Sequence, residues 1–507
     1  MTRNIWGLAA AAVAAVIAVS PASAAWRRAE SANFIVYSQS SEQSLRKRVA
    51  LLEDYNAFLR LLTGVNDPPA PVKLPVWVVR NRSALRQVKS LPEGVAGYYA
   101  PSSSGIAAFV DDGADGNGEE GNHVLFHEIA HHFMLQYRPT AYQPWYAEGF
   151  AEYVSTARFT DNTIEFGEAS RGRVASLVRM SWLPMERILF ARPPSDPQEG
   201  SLYYAQSWLL VHYLLRDEAR KVRLIDYFKA LRAGEQPPAA FKRVFAVEPK
   251  KLQADLLKYG ERQLTYTRMK RRSAAEIPPM KIDVLPPSAD DLMLARAAMH
   301  IGVDEERQAE LLAQVRTAAA KHQDDFAKRV LARAEALHGD GAAADRLLDP
   351  ILKTSPNDAE ALYLKGMRYL VAARNDTERG APLARQARTW FARAHKVDDK
   401  DFPTLARYVE ASLYNAAPTE NIVEVMLLAH QLAPQVVDIR MNAAGMLLSR
   451  GHHGEAADLV EPLAFHPHNS RLAAAAKAML DRARAGEKKK AANSPAAASD
   501  AETADPS

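Results

Sequence analysis

Residues 124–137 read VLFHEIAHHFMLQY, and residues 145–153 read WYAEGFAEY. Apolar residues recur through the first stretch with helical periodicity, which predicts a buried helix. Because positions i and i+4 share one face of a helix, His127 and His131 can bind one metal ion, while Glu128, one step round, reaches toward the metal's water. The stretch therefore predicts a zinc site on a helix.

The second stretch predicts another helix, which begins near Trp145 and carries Glu148 and Glu152 one turn apart. Together the two stretches resemble the gluzincin type of zinc metallopeptidase, in the peptidase MA superfamily, whose second helix has the signature WxxEGxAxY. The resemblance extends over about residues 25–266. The whole chain also resembles bacterial secreted proteins in which such a domain precedes tetratricopeptide repeats.

The resemblance implies a role for each polar residue of these two helices. His127, His131 and Glu148 correspond to the three protein ligands of a catalytic zinc, and Glu128 to the general base and acid. Glu152 matches the place of a carboxylate that orients a zinc-bound histidine. The alternative for Glu152 is a solvent-facing helix glutamate.

A later stretch, YAQSWLLVHYLL at residues 204–215, resembles the helix on which the aminopeptidase branch of these enzymes carries a catalytic tyrosine. That residue would be Tyr204, whose phenol could donate a hydrogen bond to a forming oxyanion. The adjacent Tyr203 competes for the role, and both could simply be packing residues. Two departures argue against an aminopeptidase: the interval from His131 to Glu148 is shorter than in that branch, and the GxMEN segment is missing.

Other segments near the motif leave alternatives open. His123 lies one turn before His127 and could reach the metal, although a histidine there more often caps the helix start or meets solvent. His132 points off the ligand face. Upstream, GIAAFVDDG at residues 105–113 is a candidate edge strand for aligning an extended peptide, or else an ordinary sheet edge.

The chain before the motif predicts a small sheet and one long helix. Strands are expected at 33–39, 72–79, 98–100 and 106–110, and an amphipathic helix at 42–62. From the motif to Tyr266 only helices are expected. The predicted fold of residues 25–267 is an α+β zincin-like domain, a small mixed sheet plus helices.

The second half of the chain predicts an all-α solenoid. Residues 268–289 are rich in proline and favour an extended linker. Residues 290–484 are almost wholly helical, and their turns recur at intervals of 43, 35 and 33 residues, as expected of tetratricopeptide-like helix hairpins. These recurrences fall at Pro356, Asp399, Pro434 and Pro467. We expect the solenoid to fold separately and to bind a partner protein in its groove, or merely to stabilise or space the first domain. The low-complexity residues 485–507 predict a disordered tail.

Composition and the first residues indicate the compartment and exclude some partners. Residues 1–24 predict a secretory signal peptide that ends in an A-x-A site, and no later segment is apolar enough to span a membrane. We therefore expect a periplasmic or secreted bacterial protein. The chain has no cysteine, which excludes disulfides and thiolate metal sites. Because 64 Lys and Arg nearly balance 60 Asp and Glu, nucleic acid is not expected as a partner.

Three functions are compatible with these observations. The first is a Zn²⁺-dependent metallopeptidase whose repeats recruit a peptide or protein substrate or a protein partner. The second is a catalytically silent envelope adaptor that acts through its repeats. The third is a zinc amidohydrolase that acts on a non-peptide amide, such as a cell-wall component, with the same site chemistry.

Overall fold

The computed structural model of the protein describes residues 25–113, 119–140, 142–262, 264–271, 279–376, 378–464 and 469–492. The predicted signal peptide at 1–24 and the middle of the predicted linker lie outside the described residues. A mixed sheet with helices comes first and a helical solenoid follows, so the coarse fold class is as predicted. Among the described helices, none combines the length and the apolar character needed to cross a membrane.

Six strands form the main sheet: β1 Arg27–Glu30, β2 Phe34–Ser38, β3 Leu74–Val79, β4 Gly97–Ser102, β5 Gly105–Asp111 and β9 Lys281–Val284. Their order across the sheet is β4-β5-β3-β2-β1-β9. Strands β2, β3 and β5 are parallel, and the remaining pairs are antiparallel. The prediction that GIAAFVDDG forms a sheet edge is therefore wrong, because this segment is β5, which lies between β4 and β3. The free edge on this side is β4.

Three more strands correct the expectation of helices alone after the motif: β6 Arg158–Phe159, β7 Thr163–Phe166 and β8 Thr267–Lys270. They are only two to four residues long, which is too short for apolar alternation to predict a strand. The helices of this half are α1 Glu42–Thr63, α2 Arg82–Val88, α3 Glu119–Tyr137, α4 Pro144–Ser155, α5 Arg171–Arg179, α6 Met185–Phe190, α7 Pro197–Leu215, α8 Glu218–Arg232, α9 Pro237–Phe245 and α10 Pro249–Gly260.

The stretch 268–289, predicted to be an extended linker, contributes to both sheets. Strand β8 pairs with β7, and β9 pairs antiparallel with β1 along the far edge of the main sheet. Residues 272–278, between them, lie outside the described part of the chain. The described ends of this stretch are extended, as predicted, but backbone hydrogen bonds hold them in the two sheets.

The second half is a solenoid of helix hairpins. Consecutive helices pack in pairs, and the first helices of successive pairs, α11, α13, α15 and α17, lie next to one another. The predicted disordered tail is wrong for residues 485–492, which are helical, whereas 493–507 lie outside the described residues. The helices are α11 Ser288–Ile301, α12 Glu305–Ala319, α13 Asp325–His338, α14 Gly341–Thr354, α15 Ala359–Asn375, α16 Gly380–Val397, α17 Phe402–Ser412, α18 Glu420–Leu432, α19 Val437–Ser449, α20 His453–Val460 and α21 Ser470–Ala492.

The solenoid packs on the first half of the chain at more than one place. At its start, α11 covers one face of the main sheet, where Trp77 Nε1 donates to Met293 Sδ at 3.4 Å. Further along, Arg407 donates to the Ser103 and Ser104 hydroxyls of the β4–β5 hairpin, each at 3.2 Å. The expectation of a separately folding solenoid does not fit this packing, since one hydrophobic cluster contains both sheet and solenoid residues.

Candidate metal centre

Helices α3 and α4 place the polar residues of the motif side by side. Helix α4 starts with Pro144 at its first turn and is buried along most of its length. Gly149 lets α7 approach closely, because an added Cβ would collide with the Ser207 carbonyl and lie 2.7 Å from Val211 Cγ2. The glycine of the EGxA segment is therefore explained by helix packing, and this packing fixes the position of Glu148 beside α3.

His127, His131 and Glu148 converge on one point. The two Nε2 atoms are 3.1 Å apart, and each lies 3.4 Å from Glu148 Oε2. All three ligand atoms lie within 4.8 Å of one another. The Glu148 side chain is completely buried, whereas the two imidazoles keep a little exposure, at 12% and 18%. Two imidazoles and one carboxylate in this arrangement suit a divalent zinc ion.

Glu152 lies on the other side of the His127 ring, with its Oε1 3.3 Å from Nδ1. The structure thus places this glutamate inside the site and only 3% exposed, not facing solvent. Arg173, at the start of α5, donates to both Glu152 oxygens, at 2.6 and 3.0 Å. Burial favours the neutral acid, but these partners hold the pKa of Glu152 far below its usual range. Sequence reasoning missed Arg173, which has no motif of its own.

The surroundings of His127 are strongly anionic. Burial by itself lowers the pKa of this imidazole, but the neighbouring carboxylates of Glu148 and Glu152 outweigh burial and raise the pKa to about 10. Glu128 adds to the same effect. The site therefore favours a positive charge between its carboxylates. A protonated imidazole or a bound metal cation would provide that charge, so the residues present fit a divalent cation.

Glu128 is held by the edge of the main sheet. The backbone N–H of Tyr99, on β4, donates to Glu128 Oε2 at 3.2 Å. The Tyr99 hydroxyl lies 2.9 Å from His132 Nδ1, and Gln435, from the turn between α18 and α19, lies against the same side chain. Because burial lowers the pKa of His132 to about 4, this ring is neutral near pH 7. His132 is thus turned away from the ligand cluster and packs against β4.

Of the remaining candidate residues, the structure places one beside the ligand cluster and the others away from it. His123 Nε2 lies 3.0 Å from the Ser155 hydroxyl of α4 and is not part of the ligand cluster. The Tyr204 ring is 6.3 Å from the His127 ring, and the Arg173 guanidinium lies 5.0 Å from its centroid. Tyr203 is fully buried, and its hydroxyl points to the Ile188 carbonyl at 3.4 Å. Of the two tyrosines, Tyr204 is the one beside the cluster.

Comparisons with known proteins give little further information. No family model matches the chain, and the search of curated proteins gave no match. One solved structure that is similar is a thermophilic TPR protein of Thermus thermophilus, with 20% sequence identity and a TM-score of 0.31. The match covers 38% of this chain and 98% of that protein. This likeness is too distant to support any argument about the present chain.

Proposed function

We propose that the protein is a zinc-dependent metallopeptidase of the gluzincin type. The observation that carries the proposal is the convergence of His127, His131 and the buried Glu148 on one point, with Glu128 beside it at the sheet edge. Two imidazoles and one carboxylate form the ligand set of a catalytic zinc, since structural sites have four protein ligands. The anionic surroundings of His127 support the same assignment.

A zinc ion held by His127, His131 and Glu148 would supply Lewis acidity toward a carbonyl oxygen and a water molecule. Glu128 takes a proton from the attacking water and passes it to the leaving amine. The Tyr99 N–H orients one Glu128 oxygen and leaves the other for the proton. Tyr204 donates to the oxyanion. Burial raises the pKa of this phenol well above its usual range, so the donor proton is kept at neutral pH.

Glu152 and Arg173 position His127. The carboxylate accepts from Nδ1 and so directs Nε2 of the same ring to the ligand cluster. Arg173 in turn fixes both oxygens of Glu152, which prevents this buried carboxylate from rotating. The same guanidinium lies near the ring of Tyr204, so Arg173 also orients that phenol.

The β4 edge suits an extended peptide substrate. Tyr99 directs its N–H out of the sheet toward Glu128, and in an antiparallel strand every second residue faces the same way. Pro101 is the next outward residue, and its missing N–H costs nothing at a free edge. A peptide that runs along β4 would donate to the outward carbonyls of Tyr99 and Pro101 and would pass in front of Glu128. This geometry favours hydrolysis of internal peptide bonds and, with the sequence departures noted above, not aminopeptidase activity.

The solenoid completes the proposal. Its hairpins are tetratricopeptide-like repeats that recruit the substrate or a protein partner. The predicted signal peptide supports a location in the periplasm or outside the cell, and we propose envelope or secreted polypeptides as the substrates. The near balance of charges on the chain favours a protein over a nucleic acid as the partner.

The test is to screen zinc-loaded protein against a diverse library of internally quenched peptides. On any peptide that is cleaved, Glu128→Gln should lower hydrolysis by about 10²- to 10⁴-fold while zinc stays bound. Glu218→Gln, which changes a glutamate that is 88% exposed, is the matched control and should have no effect. If the wild-type protein holds zinc and cleaves no peptide, the peptidase proposal fails. The adaptor and the non-peptide amidohydrolase would then be tested next, the latter with cell-wall fragments.

A further inference from the structure

The solenoid reaches the candidate site at the turn between α18 and α19. Gln435 lies in this turn and is only 2% exposed. Its side-chain amide is within hydrogen-bonding range of the Tyr99 hydroxyl on β4. The backbone N–H of the same tyrosine donates to Glu128. A side chain of the solenoid thus contacts the residue that holds the proposed general base.

The turn that carries Gln435 is itself well fixed. The Arg440 guanidinium, from a residue that is 2% exposed, donates twice to the Pro434 carbonyl, at 3.1 and 2.7 Å. Ala433 and Val436, on either side of the two central residues, are fully buried. The Val436 N–H donates to the Ala433 carbonyl at 3.0 Å. Because its backbone is held in this way, Gln435 can fix the groups that it contacts.

Tyr99 is held at three points. Its N–H lies 3.2 Å from Glu128 Oε2, its hydroxyl lies 2.9 Å from His132 Nδ1 on α3, and the Gln435 amide lies against the same hydroxyl. Burial raises the pKa of this phenol well above its usual range, so the hydroxyl keeps its proton. It can then donate to the imidazole and accept from the amide. These contacts fix β4 against α3 at the position where the N–H meets Glu128.

The amide of Gln435 is unfavourable for stability where it lies. Its Oε1 is buried and has no hydrogen bond within the described chain. A buried amide oxygen without a partner costs free energy, whereas the flexible apolar side chain of methionine would place no such atom there. Stability alone would therefore favour an apolar residue at this position. The contact with Tyr99 gives the amide a reason to be there.

We propose that Gln435 is a positioning residue of the candidate site, which holds Tyr99 so that the Tyr99 N–H orients Glu128. This inference rests on the proposed function and deepens it. Gln435 touches neither the proposed metal ligands nor the base, and it acts through Tyr99. The solenoid then has a role in hydrolysis itself, besides the recruitment of a substrate or partner.

The first test observes the Tyr99 N–H directly and needs no turnover. In metal-free protein with isotope-labelled tyrosine, hydrogen exchange of the Tyr99 amide is followed by NMR, and its signal is assigned by its absence in Tyr99→Phe. Gln435→Met should speed this exchange at least about tenfold, because the strand is held less well. The free energy of unfolding should stay unchanged or rise, because the unpaired oxygen is gone. Gln314→Met, at an exposed glutamine that donates to Glu310 at 2.9 Å, is the matched control.

The second test measures hydrolysis of a peptide that the wild-type protein cleaves. Gln435→Met should lower kcat about 5- to 20-fold with KM and zinc affinity unchanged, since only the orientation of the base is affected. Tyr99→Phe removes the hydroxyl that Gln435 contacts. The double variant should therefore be no slower than Tyr99→Phe alone, because both changes break one contact.

Two results of the exchange measurement would overturn the inference. One is an unchanged rate at Tyr99 in Gln435→Met, and the other is faster exchange at every tyrosine amide, which would show a general loss of stability. Faster exchange at Tyr99 with an unchanged kcat would also overturn it. Faster exchange at Tyr99 alone, when the wild-type protein cleaves no peptide, would refute the peptidase proposal and support the positioning of Glu128 by Gln435.

Discussion

Replacing Arg173 by alanine tests how the candidate site is held together. Glu152 is 3% exposed and accepts two hydrogen bonds from this guanidinium. Without Arg173, the buried Glu152 carboxylate loses both of these donors and keeps its contact with His127. Removing one partner of a fully buried ion pair costs about 3–5 kcal/mol. Since the Arg173 side chain is 23% exposed, we expect a smaller loss than this, of about 2–3 kcal/mol in the free energy of unfolding.

The same substitution should weaken zinc binding. Glu152 would no longer be fixed by two donors, so it would direct the His127 ring less well, and losses of this kind are about 10- to 100-fold in metal affinity. The assay is competition for zinc against a chelator of known affinity at neutral pH, with urea unfolding of the metal-free protein alongside. The first measurement reports positioning of the ligand, and the second reports stability.

Arg187→Ala is the matched control. Arg187 also makes two hydrogen bonds to a carboxylate, that of Glu199, but the two side chains are 46% and 43% exposed. Exposed pairs contribute less than about 1 kcal/mol, so neither zinc affinity nor stability should change much. If Arg173→Ala binds zinc as tightly as wild type and unfolds at the same urea concentration, the Glu152–Arg173 pair does not position His127 and our reasoning is refuted.

Three further predictions concern single residues. Tyr204→Phe should lower the rate of hydrolysis about 10²-fold with zinc retained. Tyr203→Phe, at the fully buried neighbouring tyrosine, should change stability alone. If the Tyr204 variant cleaves as fast as wild type, Tyr204 is not an oxyanion donor. In urea unfolding, Gly149→Ala should destabilise the protein by about 2 kcal/mol, because α4 and α7 are in contact there. Gly172→Ala, where nothing lies near the added methyl group, should be neutral or stabilising by up to about 1 kcal/mol. Burial lowers the pKa of His300 to about 4, and the unfolded value is about 6.5, so the unfolded chain binds more protons between these values. The free energy of unfolding should therefore fall as pH drops from about 6.5 to 4, with a shallower slope in His300→Gln.

Local patterns predicted the helices that carry the candidate ligands. The i, i+4 spacing fixes His127 and His131 on one face whatever surrounds them, and the apolar periodicity around them indicates a buried helix. Glu148 followed from a family signature, and the structure brings it to the same point. Arg173 has no such signal, because its partner is 21 residues away and the pairing depends on how α5 packs. Short charged strands such as RRAE and KIDV were missed for the same reason: their pairing with each other is a tertiary event.

One sequence pattern could have shown that the solenoid is not an independent unit. Strand β5 is buried along its whole length, and Trp77 alternates with Val76 and Val78 on β3 while all three are buried. A strand buried on both faces needs a cover on both, and α1 and α3 cover only one. The second cover is α11 together with the short helix α2, so Trp77 and Phe109 would lose part of their cover without the solenoid. The solenoid is therefore part of the fold that holds β4, and through β4 it is connected to the backbone N–H that orients Glu128.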